Sequence, residues 1–153
     1  MTQQNGFHLI GISTVTSNLD GKAASDIGAL WGRFISENLL EKIPNQTDQD
    51  IVCVYTDYET NYTGKYTCIL GLKVNSLDTI PEGLTGRSFT GGTFRPFLAS
   101  GELPQAVVDT WQKIWDQDRS LNRSYTYDYE VYDERSRKGD ESEVAIFIAT
   151  NKH

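Results

Sequence analysis

The 153 residues include only two histidines, two cysteines and one methionine, which leaves little for a metal site or a thiol enzyme. No His-x-x-x-His, no paired Cys and no carboxylate loop of the calcium type occurs, so metal sites lack a ligand set. His8 falls in the first apolar run and His153 is the last residue, so neither a Ser-His-Asp nor a Cys-His arrangement has a convincing base. Haem binding lacks an axial ligand for the same reason. Gly91-Gly92 is not followed by the Gly-Lys-Ser/Thr that holds a nucleotide phosphate. No cofactor is expected. Cys53 and Cys68 lie in strand-like apolar runs, where a reduced, buried thiol is the ordinary state.

Long apolar runs are missing too. No stretch approaches the ~20 apolar residues of a membrane helix, and Met1-Thr2-Gln3-Gln4-Asn5-Gly6 has neither the basic start nor the apolar core of a signal peptide. A soluble, cytoplasmic chain with no membrane partner is the expectation, and the three Asn-x-Ser/Thr sites at Asn45, Asn61 and Asn122 then carry no meaning. Positive charge is scarce: 14 Lys and Arg face 21 Asp and Glu, a net charge of -7 that phosphate backbones repel. The tightest basic group, Arg135-Ser136-Arg137-Lys138, sits among Asp133, Glu134, Asp140 and Glu141, as a solvated turn does. Direct nucleic-acid binding is disfavoured.

Aromatics are what the chain does have. Eight Tyr, six Phe and three Trp make 11% of a chain only 38% hydrophobic, and so many rings need a core or a ligand to face. The length suits one domain able to bury a core without disulfides.

Phe7 to Val15 reads as a strand; a helix capped near Ser25 carries Ile27, Leu30, Trp31, Phe34, Ile35 and Leu39 at spacings of three and four. Pro44 ends it, and Ile51 to Tyr55 and Tyr66 to Val74 form two further strands. After Pro81-Glu82-Gly83 the order repeats. Arg87 to Phe97 is a strand in which Gly91-Gly92 marks a bulge or a close backbone approach. Pro104 opens a helix with Val107, Val108, Trp111, Ile114 and Trp115 on one stripe, and Tyr125 to Tyr132 and Val144 to Ala149 follow as strands. Asp57-Tyr58-Glu59 recurs as Asp128-Tyr129-Glu130, each after a Trp-bearing helix. The expected architecture is α+β: tandem duplicated β-α-β-β units, about 7–76 and 85–150, with an antiparallel sheet and a ligand groove at the pseudo-twofold interface.

On the strand Tyr125 to Tyr132, alternation places Asp128, Glu130 and Tyr132 on one face and Tyr127, Tyr129 and Val131 on the other. The second set has the bulk to lie under a helix. That leaves Glu130 two settings: a solvated strand face with a Lys or Arg partner, the norm for carboxylates, or the inter-repeat groove. Trp31, Phe34 and Trp115 read as core, since their helix stripes must cover a sheet.

The motifs Gly11-Ile-Ser-Thr-Val-Thr-Ser-Asn18, Leu30-Trp-Gly-Arg-Phe34, Val54-Tyr-Thr-Asp-Tyr-Glu59, Gly64-Lys-Tyr66 with Ile69-Leu-Gly71, Val108-Asp-Thr-Trp-Gln-Lys-Ile-Trp115 and Arg123-Ser-Tyr-Thr-Tyr-Asp-Tyr-Glu-Val-Tyr132 occur in this order. Together they resemble the GyrI-like effector-binding family, over almost the whole chain. The resemblance implies a duplicated β-α-β-β fold whose inter-repeat pocket takes cationic, aromatic or amphiphilic small molecules. It also implies an acidic pocket floor, matched here by Glu130, and a helix Trp, matched by Trp111. Tyr66, Phe94, Tyr132 and Phe147 join the candidate ligand-binding residues from strand position. No DNA-binding segment is visible before Phe7, so the chain reads as a stand-alone member. Stand-alone members bind drugs, act on a partner such as DNA gyrase, or hydrolyse reactive ligands. Small-molecule binding therefore leads. The alternatives are a Glu130-dependent hydrolase, with a Tyr or Asp128 as proton donor, and a protein-interaction module such as a gyrase inhibitor. A protein partner or a homodimer stays open.

Overall fold

A computed structural model describes residues 2–151. His153 lies outside them. The chain forms β1 (Thr2–Gln4), β2 (Phe7–Ser17), α1 (Lys22–Ser36), α2 (Leu39–Lys42), β3 (Gln46–Thr56) and β4 (Lys65–Val74). The second half adds β5 (Thr85–Phe89), β6 (Gly92–Ser100), α3 (Gln105–Asp116), α4 (Asp118–Leu121), β7 (Tyr127–Tyr132) and β8 (Glu143–Ala149). The strands make one antiparallel sheet in the order β1-β6-β8-β7-β3-β4-β2-β5. Exchanging β2, β3 and β4 with β6, β7 and β8 maps the inner six strands onto themselves. The pseudo-twofold axis therefore passes between β3 and β7, whose pairing from Ile51↔Tyr132 to Thr56↔Tyr127 joins the halves.

The sheet is curled. β1 and β5 are its two edges, yet only two residues link β1 to β2, at the far side, and only two link β5 to β6. Such short links hold only if the two ends of the sheet come together. They do: a Cβ on Gly6 would stand 2.4 Å from the Phe89 carbonyl oxygen, and one on Gly91 2.6 Å from that of Gln4, so glycine alone fits this crossing. Gly91 thus interrupts no single strand. The expected strand from Arg87 to Phe97 is two, β5 at one edge of the sheet and β6 next to the other edge, and of the two readings of the glycines the close backbone approach holds.

Curling gives the sheet a self-filling inner face. Phe7 of β2 meets Tyr129 of β7 at 5.3 Å between ring centroids, though about 14 Å of flat sheet separates strands three places apart. Leu9, Val52, Val54, Ile69, Phe89, Phe94, Tyr127 and Tyr129 fill this face with no helix over it. The expectation that Tyr127 and Tyr129 lie under a helix is corrected: the helices sit on the outer face. There Leu30 and Phe34 of α1 pack on Ile10, Ile12, Cys68 and Leu70, and Val107 and Ile114 of α3 on Val144, Ile146 and Ile148. α1 starts at Lys22 and not at Ser25, because Asp20 and Gly21 both take left-handed conformations (φ 52° and 73°) that turn the chain into the helix early. No helix among the described residues is long and apolar enough to cross a membrane.

Candidate functional site

α1 and α3 cover the two halves and leave the seam between them open on the outer face. The opening is a cavity of about 440 Å³. Its floor is the β3–β7 junction, where Tyr55, Glu130 and Tyr132 project on the helix-bearing face by strand alternation. α1 supplies one wall with Ala24, Ile27, Gly28 and Trp31, residues at helical spacings of three and four whose small members make the room. α3 supplies the other with Val107, Val108, Trp111 and Trp115. The remaining side comes from Asn18, Tyr58, Tyr62 and Tyr66.

Glu130 is only 1% exposed. Its Oε2 accepts from the Tyr55 hydroxyl at 2.9 Å and from Trp111 Nε1 at 2.6 Å, and its Oε1 accepts from the Tyr132 hydroxyl at 2.6 Å. All three donors are neutral. Burial pushes the Glu130 carboxyl above the usual glutamate value, and the bonds from Tyr132, Trp111 and Tyr55 pull against that rise. Burial first, and then neighbouring negative charge, holds the Tyr55 and Tyr132 phenols well above their ordinary range, so both stay protonated donors.

Among the described residues, Arg123 is the one basic side chain that lines the cavity, and its charge is already matched. Its Nη2 donates to Asp128 Oδ2 at 2.7 Å and its Nη1 to Asp118 Oδ1 at 3.2 Å, while the guanidinium stacks 4.2 Å from the Tyr125 ring centre. Asp128 has its second oxygen on the Ala149 amide at 2.8 Å and also accepts from the Tyr58 hydroxyl at 2.5 Å. Both Asp128 oxygens are thus engaged within the protein; burial pushes its carboxyl above the usual aspartate value, and Arg123, Tyr58 and the Ala149 amide pull against that rise.

Four of the sequence-stated candidates, Glu130, Trp111, Tyr132 and Tyr66, therefore meet around one cavity. Phe94 and Phe147 do not. Phe94 pairs with Ala149 and Phe147 with Tyr129, which fixes both on the inner face. Phe147 stacks on Tyr129 at 4.9 Å and Phe94 packs on Tyr127 at 5.3 Å, and the sheet itself stands between them and Glu130. Their placement in the groove is corrected.

Sequence reasoning missed five rings. Trp31 and Trp115, read as core, are half-buried and line the cavity, as do Tyr55, Tyr58 and Tyr62. Trp31 meets Tyr132 edge-on at 4.7 Å, Tyr55 meets Trp111 at 5.4 Å, and Tyr62 stacks on Trp115 at 5.6 Å. The available signal was the run of small residues, Ala24 and Gly28, on the α1 face that carries Trp31. A helix face meant to cover a sheet fills with bulk, whereas this one is hollowed. Asn18 ties the rim together: its Nδ2 donates to the Tyr62 carbonyl at 2.9 Å and its Oδ1 accepts from the Tyr66 hydroxyl at 2.6 Å. Beside Glu130 on the same face, Cys53 is its cross-strand partner, and the Cys53 Sγ lies 3.4 Å from that of Cys68, both thiols buried.

The whole chain has matching relatives. Residues 1–150 match the Cass2 family, integron-associated effector binding protein. The Vibrio cholerae integron cassette protein VCH_CASS2 shares 30% identity, with 98% of this chain and 94% of that one superposing at a TM-score of 0.76. YobU of Bacillus subtilis (strain 168), a transcriptional regulator by name, is 27% identical over 145 residues, 93% of this chain and 91% of that protein. At 16% identity the likeness to SAV2435, whose structure holds tetraphenylphosphonium, is one of fold: TM-score 0.80 over 98% of this chain and 92% of that one. With a family match over nearly its whole length and a 30% identical relative of the same fold, the chain belongs to the integron-associated effector-binding family.

Proposed function

We propose that the cavity binds cationic, aromatic or amphiphilic small molecules and that Glu130 anchors their charge. The observation that carries this is a carboxylate 1% exposed, held by three neutral donors, with the nearby Arg123 already matched by Asp128 and Asp118. A buried carboxylate without a counter-ion is costly to ionise, and a lipophilic cation entering the cavity removes that cost. Trp31, Tyr55, Trp111 and Trp115 offer ring faces and edges to such a ligand, and each cation–aromatic contact adds roughly 0.5–2 kcal/mol. The volume lies within the ordinary range for drug-sized ligands. Selectivity then follows charge and shape more than a hydrogen-bond code, because most of the wall is ring and aliphatic carbon. Tetraphenylphosphonium, the ligand in the SAV2435 structure, is a compound of this class.

The test is calorimetric titration of a planar cationic dye into wild type and Glu130→Gln, with circular dichroism to confirm that both fold. Losing a charge-assisted contact of about 1.5–3 kcal/mol weakens binding tenfold or more. Equal affinity in the two proteins removes Glu130 as the anchor.

A further inference from the structure

The cavity above the β3–β7 junction has a neighbour. A second cavity of about 530 Å³ lies beside it, and two residues, Tyr62 and Trp115, line both. Their rings stack at 5.6 Å between centroids with an interplanar angle of 9°, so one aromatic pair forms the partition between two chambers. Asn18 holds the Tyr62 backbone carbonyl, which fixes the segment while leaving the ring to rotate about its own side-chain bonds.

The chambers differ in chemistry. The inner one is walled by rings and aliphatic carbon around Glu130, whereas the outer one carries the amides of Asn61 and Gln117 and the carboxylates of Asp116 and Asp118. Arg119 also lines the outer chamber and offsets one of those charges. Arg123 binds both Asp118 and Asp128, so one cation there meets two carboxylates and a negative charge is left over. The outer chamber also lies at the C-terminal end of the 12-residue helix α3, where the helix dipole favours a cation.

We propose that the two chambers form one continuous site for elongated amphiphiles. A flat cationic aromatic head occupies the inner chamber, a linker passes the Tyr62–Trp115 pair, and an ammonium at the end of the tail lies in the outer chamber beside Asp116. This rests on the inner cavity being the binding site. It adds a length and a second charge to the ligand class, and it gives the paired rings a role as a gate.

Three probes separate the terms: N-methylacridinium, N-hexylacridinium and N-(aminohexyl)acridinium, titrated into wild type and Asp116→Asn. The aminohexyl compound should bind wild type about fivefold tighter than the hexyl compound, the upper range of a solvent-exposed ion pair. Asp116→Asn should abolish that difference and leave N-methylacridinium unchanged. Equal binding of the hexyl and aminohexyl compounds to wild type overturns the proposal while leaving the inner site intact. An Asp116→Asn effect of equal size on all three probes also overturns it, since the carboxylate would then act only through general electrostatics. Failure of N-methylacridinium to bind at all removes the inner site and this extension together.

Discussion

Asp128 and Glu130 stand two residues apart on the same face of β7, and both are buried, at 0% and 1% exposure. Their surroundings differ in one respect. Asp128 has a guanidinium at 2.7 Å, a backbone amide and a phenol, so its charge is balanced within the protein. Glu130 has two phenols and an indole, which orient it and supply no positive charge. The first arrangement closes the structure around itself. The second leaves a charge to be balanced from outside, beside a cavity open to solvent. On the proposed reading of Glu130 as the ligand's anchor, a buried carboxylate is structural or ligand-facing according to its partners, and not according to its depth.

Breaking the balanced member should have the largest effect. Asp128→Asn leaves Arg123, at 1% side-chain exposure, with the 3.2 Å contact to Asp118 as its remaining ion pair, and removing one partner of a buried pair costs about 3–5 kcal/mol. Urea unfolding should show this loss in full, with or without ligand.

The unbalanced member should instead reveal itself through pH. Cation binding requires ionised Glu130, whose carboxyl burial raises above the ordinary glutamate value. Affinity should therefore be constant at alkaline pH and fall, by up to about tenfold per pH unit, once the pH drops below that raised value. Calorimetry across the acid range tests it; a flat profile above the ordinary glutamate range argues that Glu130 ionises normally.

Substitution at Glu130 should change stability in the opposite direction from substitution at Asp128: burial raises both carboxyls, but only Asp128 has a buried guanidinium that its replacement would strand. A carboxyl with a raised folded-state value loses its proton more readily in the unfolded chain, so stability falls as pH rises from the ordinary glutamate value to the raised one. The deficit is complete above it. Glu130→Gln removes the deficit. It should raise the stability of the ligand-free protein at neutral pH by on the order of 1 kcal/mol and make no difference well below the ordinary glutamate range. Thermal unfolding at the two pH values reads both outcomes.

Why the contrast was only half legible in the sequence follows from what alternation can and cannot say. Period-two patterning places Asp128, Glu130 and Tyr132 on one face of β7, and the order of elements gives the duplicated α+β fold. Alternation does not say which face a helix covers. That depended on the curl of the sheet, which buries Tyr127 and Tyr129 against Phe7, Phe89 and Phe94 without a helix, and which needs the long-range crossing at Gly6 and Gly91. Trp31 and Trp115 were illegible for a related reason. A helix stripe shows which residues turn inward, but not whether the opposite surface is sheet or space.

Shared letters also misled. Asp57-Tyr58-Glu59 and Asp128-Tyr129-Glu130 match, but the first begins just after β3 ends and the second lies inside β7, so they are not equivalent positions. Asp57 still makes a paired contact: both its oxygens accept from Arg87 at 2.6 Å, a tighter geometry than that of Arg123 on Asp118. Yet the two side chains are 38% and 48% exposed, and water screens them. Asp57→Asn is the matched control for Asp128→Asn, because asparagine tolerates the left-handed conformation that Asp57 adopts at φ 52° and so adds little backbone strain. Its cost in urea unfolding should be at most about 1 kcal/mol. If the two substitutions cost the same, contact geometry would outweigh burial, and the distinction between Asp128 and Glu130 would have to rest on something other than how each buried charge is matched.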